Sequence, residues 1–238
     1  MYKEFDQGNM FGAIWDFPKN LIDALKLGNQ ITLYQSYIDI ENIVVAGMGG
    51  SAIGGDVVSI LEKDNLDIPF VVCRGYSLPN WVNEYTLVVC SSYSGNTEET
   101  LSALDDALNK KAQVCGITTG GELGKRLKKS GEDLVIIPSG LQPRAALAFS
   151  FVLMVKLLEK AGVLESGMET WIKHTIDALK EARELYCRES DENPVYELTK
   201  LVYNKIPIVY ADNSTLGVAA VRLKGQFCEN AKMLAYYN

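Results

Sequence analysis

Residues 42–56 read NIVVAGMGGSAIGGD, and this stretch decides the fold. Its first part, Asn42–Gly47, is short, β-branched and continuously apolar, which is typical of a parallel strand that is buried on both faces. The glycine-rich turn after it leads into a helical pattern at 51–63. A buried strand, a glycine turn and a helix in direct succession predict the first βα unit of a doubly wound α/β sheet.

The same alternation continues along the chain. Four more apolar runs of strand length lie at 68–72, 86–90, 112–118 and 133–138, and further helical patterns lie at 97–110, 121–129 and 143–162. This order predicts right-handed crossovers and a parallel sheet of about five strands with helices on both faces. A helix at 17–27 precedes the sheet. We therefore predict an N-terminal helical segment at 1–38 and an α/β domain at 39–163.

The pattern changes after residue 163. Two helical stretches, 167–188 and 193–203, lead to one strand at 207–211 and a helix at 215–234. One strand and one helix cannot form a sheet alone. We therefore predict that 164–238 is a helical connection followed by the start of a second, incomplete α/β domain, and we expect a longer protein. The alternative is that the strand joins the first sheet or a partner.

Composition and charge exclude several classes of protein. The 238 residues are 47% hydrophobic and carry 23 Lys and Arg against 30 Asp and Glu, a net charge of −7. This composition is typical of a soluble globular protein, and the acidic balance argues against a nucleic-acid partner. No apolar run reaches the length of about 18 residues that a membrane span needs, and the N-terminus does not resemble a signal peptide. We expect a cytoplasmic protein.

Cysteine and histidine usage narrows the chemistry. The five cysteines are widely spaced without a CxxC pair, which indicates reduced thiols. His174 is the single histidine, so a zinc site with two or three histidine ligands is excluded. A Ser-His-Asp triad would have to use His174, which lies in a surface-type helical pattern. We predict that it is a solvated or packing residue.

The first glycine loop, 47–56, follows the first predicted strand. Glycines let the backbone approach an anion, and the next helix offers unpaired N–H groups. Gly47, Gly49 and Ala52 also fit a loose dinucleotide fingerprint. Cys73 and Arg74, however, stand where that fingerprint expects an acidic residue. Since Arg74 would suit a 2′-phosphate, an NADP-linked reductase stays open as an alternative.

The second loop, 91–100, reads SSYSGNTEET and crowds five hydroxyl-bearing Ser and Thr residues around a helix start. Asn96 is predicted as the N-cap and Glu99 as its capping-box partner. Hydroxyls and helix N–H groups together form a neutral cage for a phosphate. Ordinary helix capping is the alternative, but capping needs only one such residue. Two loops of this kind suit one phosphomonoester better than a dinucleotide.

These two loops resemble the sugar isomerase (SIS) domain. With ITTGG at 117–121, PRAAL at 143–147 and ENAK at 229–232, the chain resembles the bifunctional phosphoglucose/phosphomannose isomerase family over roughly 43–232. The resemblance implies an SIS fold, a hexose 6-phosphate substrate, a homodimer, and no metal or cofactor. It also implies these ligands near the sugar phosphate: Gly49, Gly50, Ser51, Ser92, Ser94 and Thr97.

The resemblance implies Glu229 as the catalytic base and Arg144 beside the reacting C1 and C2 atoms. Chemistry agrees, because aldose–ketose isomerisation through an enediolate needs a carboxylate to move the proton and a fixed cation for the oxyanion. Glu229 shares a predicted helical face with Arg222 and Gln226. The alternatives are a surface arginine at 144 and a solvated acid at 229 paired with Lys232.

The resemblance predicts interconversion of glucose 6-phosphate, or mannose 6-phosphate, with fructose 6-phosphate. It also exposes a departure, because family members carry two complete SIS domains and a ring-opening histidine shortly beyond ENAK. His174 does not match that position. Two alternatives therefore stay open: an SIS module that binds a sugar phosphate without turnover, and an inactive fragment of the isomerase.

Overall fold

The computed structural model describes residues 4–188, 190 and 192–238. Residues 1–3 of the predicted N-terminal segment, and positions 189 and 191 of the predicted connection, lie outside the described residues. The chain forms two compact units. One is Lys19–Thr170, and the other consists of the residues up to Pro18 together with Trp171–Asn238.

The unit Lys19–Thr170 is built on a five-stranded parallel sheet with strand order β2-β1-β3-β4-β5. The strands are β1 (Asn42–Gly47), β2 (Phe70–Cys73), β3 (Thr86–Ser92), β4 (Gln113–Thr118) and β5 (Asp133–Ile136). In the centre, Ile43 of β1 pairs with Leu87 of β3. The chain leaves β1 toward β2 on one side and continues from β3 on the other. The predicted doubly wound parallel sheet is thus confirmed. Such sheets bind ligands at the point where the strand order changes direction.

Helices cover both faces of this sheet. They are α2 (Phe17–Asn29), α3 (Gly49–Leu61), α4 (Glu98–Asn109), α5 (Gly121–Ser130) and α6 (Leu147–Lys160). Every residue of α6 from Ala148 to Leu158 is buried. Apart from Ser150 and Lys156 this stretch is apolar, which is typical of a core helix, and α6 packs most extensively against α3.

The helix predicted at 143–162 is wrong at its start. Pro143–Ala145 forms a separate 3-10 turn, and α6 begins only at Leu147. Ala146 between them lies at φ −92° and ψ 13°, outside the α-helical region, and this interrupts the helix.

Lys156, near the C-terminal end of α6, carries a buried positive charge. Lys156 is 6% exposed, and its Nζ donates to Glu159 Oε2 at 3.0 Å and to Glu169 Oε2 at 2.8 Å. Gly28 of α2 packs directly on its stem, because a Cβ there would lie 2.5 Å from Lys156 Cγ. Burial of this charge is tolerated because two carboxylates surround it.

The second unit contains α1 (Met10–Trp15), most of α7 (Met168–Tyr186), α8 (Pro194–Val202), β6 (Ile208–Val209), α9 (Gly217–Glu229) and β7 (Tyr236–Tyr237). Helix α1 was not predicted from the sequence. Its first N–H groups, at Met10 and Phe11, donate to the Asp6 carboxylate. Among the described helices, none has the length and apolar character needed to cross a membrane.

The prediction of a lone strand in this unit is also wrong. β6 pairs in parallel with β7, so the end of the chain forms a small βαβ unit. The helix predicted to run to 234 ends at Glu229. The chain then turns through Lys232, whose φ of 54° is left-handed, and reaches the two tyrosines that form β7.

Candidate active site

The first glycine loop forms the N-terminus of α3. The helix begins at Gly49, two residues before the predicted start, so Gly49, Gly50 and Ser51 make up its first turn. Gly49 has a φ of 49° and open space where a Cβ would stand. The N–H groups of Ser51 and Ala52 donate to the Met48 carbonyl oxygen at 3.1 and 3.3 Å, so those of Gly49 and Gly50 lie at the positive end of the helix dipole. This turn can therefore bind an anion.

The second loop brings together the three predicted phosphate-binding hydroxyls. Ser92 Oγ lies 2.8 Å from Thr97 Oγ1 and accepts a hydrogen bond from the Gly95 N–H at 3.1 Å. Ser94 Oγ accepts from the Asn96 N–H at 3.1 Å. All three hydroxyls stand immediately before α4, at the carboxyl edge of the sheet. Ser92 is 1% exposed, so its hydroxyl lies beneath the surface of the loop.

Asn96 does not cap α4. The N-cap of α4 is Thr97, and the Asn96 carboxamide instead accepts from the Glu122 N–H in the first turn of α5, at 3.0 Å. Gly95 O accepts from the Leu123 N–H at 2.8 Å. The second loop is therefore braced by the loop that follows β4.

The ITTGG motif forms that brace. Gly120 and Gly121 have φ values of 141° and 64°, which side chains with a Cβ rarely adopt. A Cβ at Gly95 would collide with the Gly120 carbonyl oxygen. The two loops touch backbone to backbone, which explains the glycines in both. Paired glycines directly after a strand are the sequence signal for this contact.

Ser51 connects the first two loops. Its Oγ accepts from the Tyr93 N–H at 3.1 Å, and its carbonyl oxygen accepts from Ser91 Oγ at 3.4 Å. The side chain is buried, and the hydroxyl keeps its own proton for donation. Ser51 thus fixes the distance between the loops whether or not it also touches a ligand.

Arg144 is placed next to the first turn of α3. A Cβ at Gly50 would lie 2.6 Å from the Pro143 carbonyl oxygen and 3.6 Å from Arg144 Cα. Ser150 Oγ, in α6, donates to the Gly50 carbonyl oxygen at 3.3 Å. The structure therefore brings the half-buried Arg144 and the predicted phosphate loops together in one unit.

Tyr93 is a residue of this site that the sequence analysis did not single out. Its hydroxyl donates to the Pro138 carbonyl oxygen at 3.1 Å and accepts from the Leu141 N–H at 2.9 Å. Pro138 and Leu141 belong to the loop between β5 and the 3-10 turn that carries Arg144. The signal available in sequence was a large aromatic residue among small polar ones.

Glu229 belongs to the other compact unit. It is the last residue of α9, it is exposed, and it lies on the helix face that also carries Arg222 and Gln226, as predicted. With its carboxamide oxygen toward Arg222, Gln226 accepts from Nη1 at 3.0 Å and Nη2 at 3.1 Å. Burial lowers the pKa of Arg222, while the charge of Glu229 opposes that shift. A Cβ at Gly225 would lie 3.9 Å from Glu229 Oε1, so the glycine leaves room beside the carboxylate.

The histidine and the cysteines have different environments. His174 lies exposed on α7. All five cysteines are free thiols, and burial raises the pKa of Cys90 to about 12. Within the described part of the chain, no three His, Cys, Asp or Glu side chains cluster in a way that could hold a metal ion.

The chain is similar in sequence to several known proteins. Residues 191–238 match the family model of the bacterial phospho-glucose isomerase C-terminal SIS domain. The chain is 44% identical over 231 residues to a bifunctional phosphoglucose/phosphomannose isomerase of Caldicellulosiruptor bescii, covering 96% of this chain and 68% of that protein. It is 36% identical over 221 residues to a protein of the same name from Thermoplasma volcanium, covering 91% and 66%. The chain thus spans about two thirds of the length of these relatives.

A solved structure shares the fold. The C-terminal domain of glucosamine-fructose-6-phosphate aminotransferase from Francisella tularensis superposes with a TM-score of 0.72 over 96% of this chain and 69% of that chain. The sequence identity is 15%, so the likeness concerns the fold alone.

Proposed function

The chain belongs to the bifunctional phosphoglucose/phosphomannose isomerase family, and we propose that it interconverts glucose 6-phosphate and mannose 6-phosphate with fructose 6-phosphate. One observation carries this proposal. Two loops rich in hydroxyl groups and glycines, together with Arg144, meet at the carboxyl edge of one sheet. That arrangement suits a phosphomonoester with a reacting carbon next to a fixed cation.

The phosphate end of the substrate is assigned to the first turns of α3 and α4. Ser92, Ser94 and Thr97 offer hydroxyls, and Gly49 and Gly50 offer backbone N–H groups without side chains in the way. Binding at such a site comes from local dipoles and aimed donors. A net charge of −7 is therefore compatible with an anionic substrate.

The chemistry is assigned to Glu229 and Arg144. Glu229 removes the proton from C2 of the aldose, and the electrons of that C–H bond form the C1–C2 double bond of an enediolate. Arg144 stabilises the developing negative charge on oxygen. The protonated Glu229 then returns the proton to C1 while the proton of the C2 hydroxyl passes to the oxygen on C1, which gives the ketose and restores the carboxylate.

The proposal includes a domain assignment and an assembly. Residues 39–163 form the first SIS domain, and 164–238 form a helical connection that leads into the second SIS domain. The family model that matches 191–238 supports the second part. We also propose a cytoplasmic homodimer, for which light scattering of the purified chain is the direct test.

Phosphorus NMR of fructose 6-phosphate mixed with the 238-residue chain tests the activity. New aldose 6-phosphate signals are expected. Glu229→Gln should abolish them while leaving the broadening of the substrate signal unchanged, and Glu181→Gln, at an exposed position on α7, is the matched control. Broadening without new signals from the unaltered chain would assign a binding module instead. No change at millimolar substrate would refute the phosphate site itself.

A further inference from the structure

We propose that Tyr93 is a positioning residue for Arg144. In this proposal its hydroxyl fastens the loop before Arg144 to the phosphate loop, so that phosphate binding and guanidinium placement are coupled. The inference rests on the proposed function and deepens it, because it names a link between the binding half and the reacting half of the same site.

The contacts of Tyr93 join three loops. Its backbone N–H donates to Ser51 Oγ in the first turn of α3. Its side chain crosses to the loop after β5, where the hydroxyl donates to the Pro138 carbonyl oxygen and accepts from the Leu141 N–H. One residue therefore contacts the β1–α3 turn, the β3–α4 loop and the segment that leads to Arg144.

The segment from β5 to the 3-10 turn depends on this support. Its first backbone bond runs from the Ile137 N–H to Thr118 O, and its last runs from the Ala145 N–H to Gln142 O. Between them the chain turns at Gly140, which has a φ of 102°. The Tyr93 hydroxyl satisfies one carbonyl and one N–H inside this interval, as a neighbouring strand would. Because Leu141 is only three residues from Arg144, its position constrains the position of the Arg144 backbone.

The same segment is held from the other side by α3. Gly50 packs on the Pro143 carbonyl, and Tyr93 lines a small cavity with Gly50, Pro143 and Ala146. The segment is therefore held by the Tyr93 hydroxyl on one side and by α3, at Gly50, on the other. Ser92 and Ser94 flank Tyr93 in sequence. A phosphate bound to their hydroxyls would therefore restrain Tyr93, and Tyr93 in turn restrains the segment that leads to Arg144.

Tyr93→Phe separates this role from simple packing, because the ring stays and only the hydroxyl is lost. Tyr37→Phe is the matched control. The Tyr37 hydroxyl also makes two hydrogen bonds, to Asp133 Oδ2 at 2.9 Å and to Val114 O at 3.3 Å, where β4 and β5 begin. Each variant loses one half-buried hydroxyl of this unit, but only the Tyr93 hydroxyl contacts the segment that leads to Arg144.

The experiment combines turnover with hydrogen exchange of the 238-residue chain, with and without inorganic phosphate. For Tyr93→Phe we expect kcat to fall about tenfold or more with KM changed less than about threefold, since a small misplacement of a catalytic group is costly. Amides of 139–146 should exchange faster, and their protection by phosphate should be lost. Tyr37→Phe should lower thermal stability while keeping kcat and the phosphate-dependent protection.

Unchanged exchange of 139–146 in Tyr93→Phe, with protection by phosphate intact, would overturn the proposal. So would an unchanged kcat. If the unaltered chain binds phosphate but turns over no fructose 6-phosphate, the isomerase function fails while the exchange measurement still decides the role of Tyr93.

Discussion

Replacing Gly50 by alanine is expected to move Arg144 while leaving the fold intact. The added Cβ would lie 2.6 Å from the Pro143 carbonyl oxygen. Ordinary contact begins near 3.4 Å, so the carbonyl must retreat by about 0.8 Å. A backbone carbonyl cannot swing aside as a flexible side chain can, and Arg144 is the next residue.

The magnitudes separate stability from activity. Overpacking of this kind costs about 1–3 kcal/mol, and alanine recovers about 1 kcal/mol through its better helix propensity. The net loss of stability is therefore about 0–2 kcal/mol. A displacement of about 1 Å at a reacting group costs up to about 100-fold in rate. We expect Gly50→Ala to lose about 10- to 100-fold in kcat.

Two matched variants make the assay decisive. Gly54→Ala meets the Ser150 backbone at 2.8 Å, one helical turn further from Arg144, and should cost similar stability with a much smaller loss of kcat. Gly75→Ala meets nothing within 4 Å and should change neither quantity. Urea unfolding gives the stabilities, and a coupled assay with fructose 6-phosphate gives kcat. A Gly50→Ala protein that matches Gly54→Ala in both quantities would refute the reasoning.

Three further predictions test other parts of the molecule. Thr97→Val removes the hydroxyl beside Ser92 and should weaken phosphate binding about 10- to 150-fold, since a hydrogen bond to a charged group is worth about 1.5–3 kcal/mol. An unchanged dissociation constant in a phosphorus NMR titration would remove Thr97 from the site. Iodoacetamide should label the partly exposed Cys73 but spare Cys90, whose thiol is buried and whose pKa is raised to about 12, so rapid labelling of Cys90 in a mass spectrum would contradict its burial. Lys156→Met should destabilise the chain by about 3 kcal/mol or more in urea, because it leaves two glutamates without their buried counter-charge, and a gain in stability would show that the ion cluster is dispensable.

The central sheet was predictable because its signal is local. Asn42–Gly47 was predicted with the bounds that the structure shows, since a strand buried on both faces is apolar at every position. The interruption after Pro143 was not predictable in the same way. The interruption occurs where Pro143 contacts Gly50, which is far away in the chain. The residues that follow Pro143 would by themselves suit a continuous helix.

Long-range partners also explain what was missed in the site. Asn96 and Thr97 are both good helix caps, and only the position of Glu122 shows which helix Asn96 serves. From the sequence, Tyr93 is only an aromatic residue in a loop. Its role depends on the contacts of its hydroxyl with Pro138 and Leu141, which lie in a distant segment. The hydroxyls proposed to bind phosphate lie within six residues of sequence, so their proximity was predictable, whereas the groups that support them come from distant segments.

The hydrogen bond from Ser150 Oγ to the Gly50 carbonyl oxygen spans 100 residues of chain, and this has a consequence for biosynthesis. A ribosome extends the chain N-terminus first, so both glycine and serine loops emerge well before α6. A nascent chain that stops short of α6 carries these loops but lacks the helix that α3 packs against. A hexose phosphate stabilises only the form that binds it. Substrate should therefore protect nascent chains from proteases only after α6 has left the exit tunnel, so that the metabolite marks the moment at which this half of the enzyme is complete.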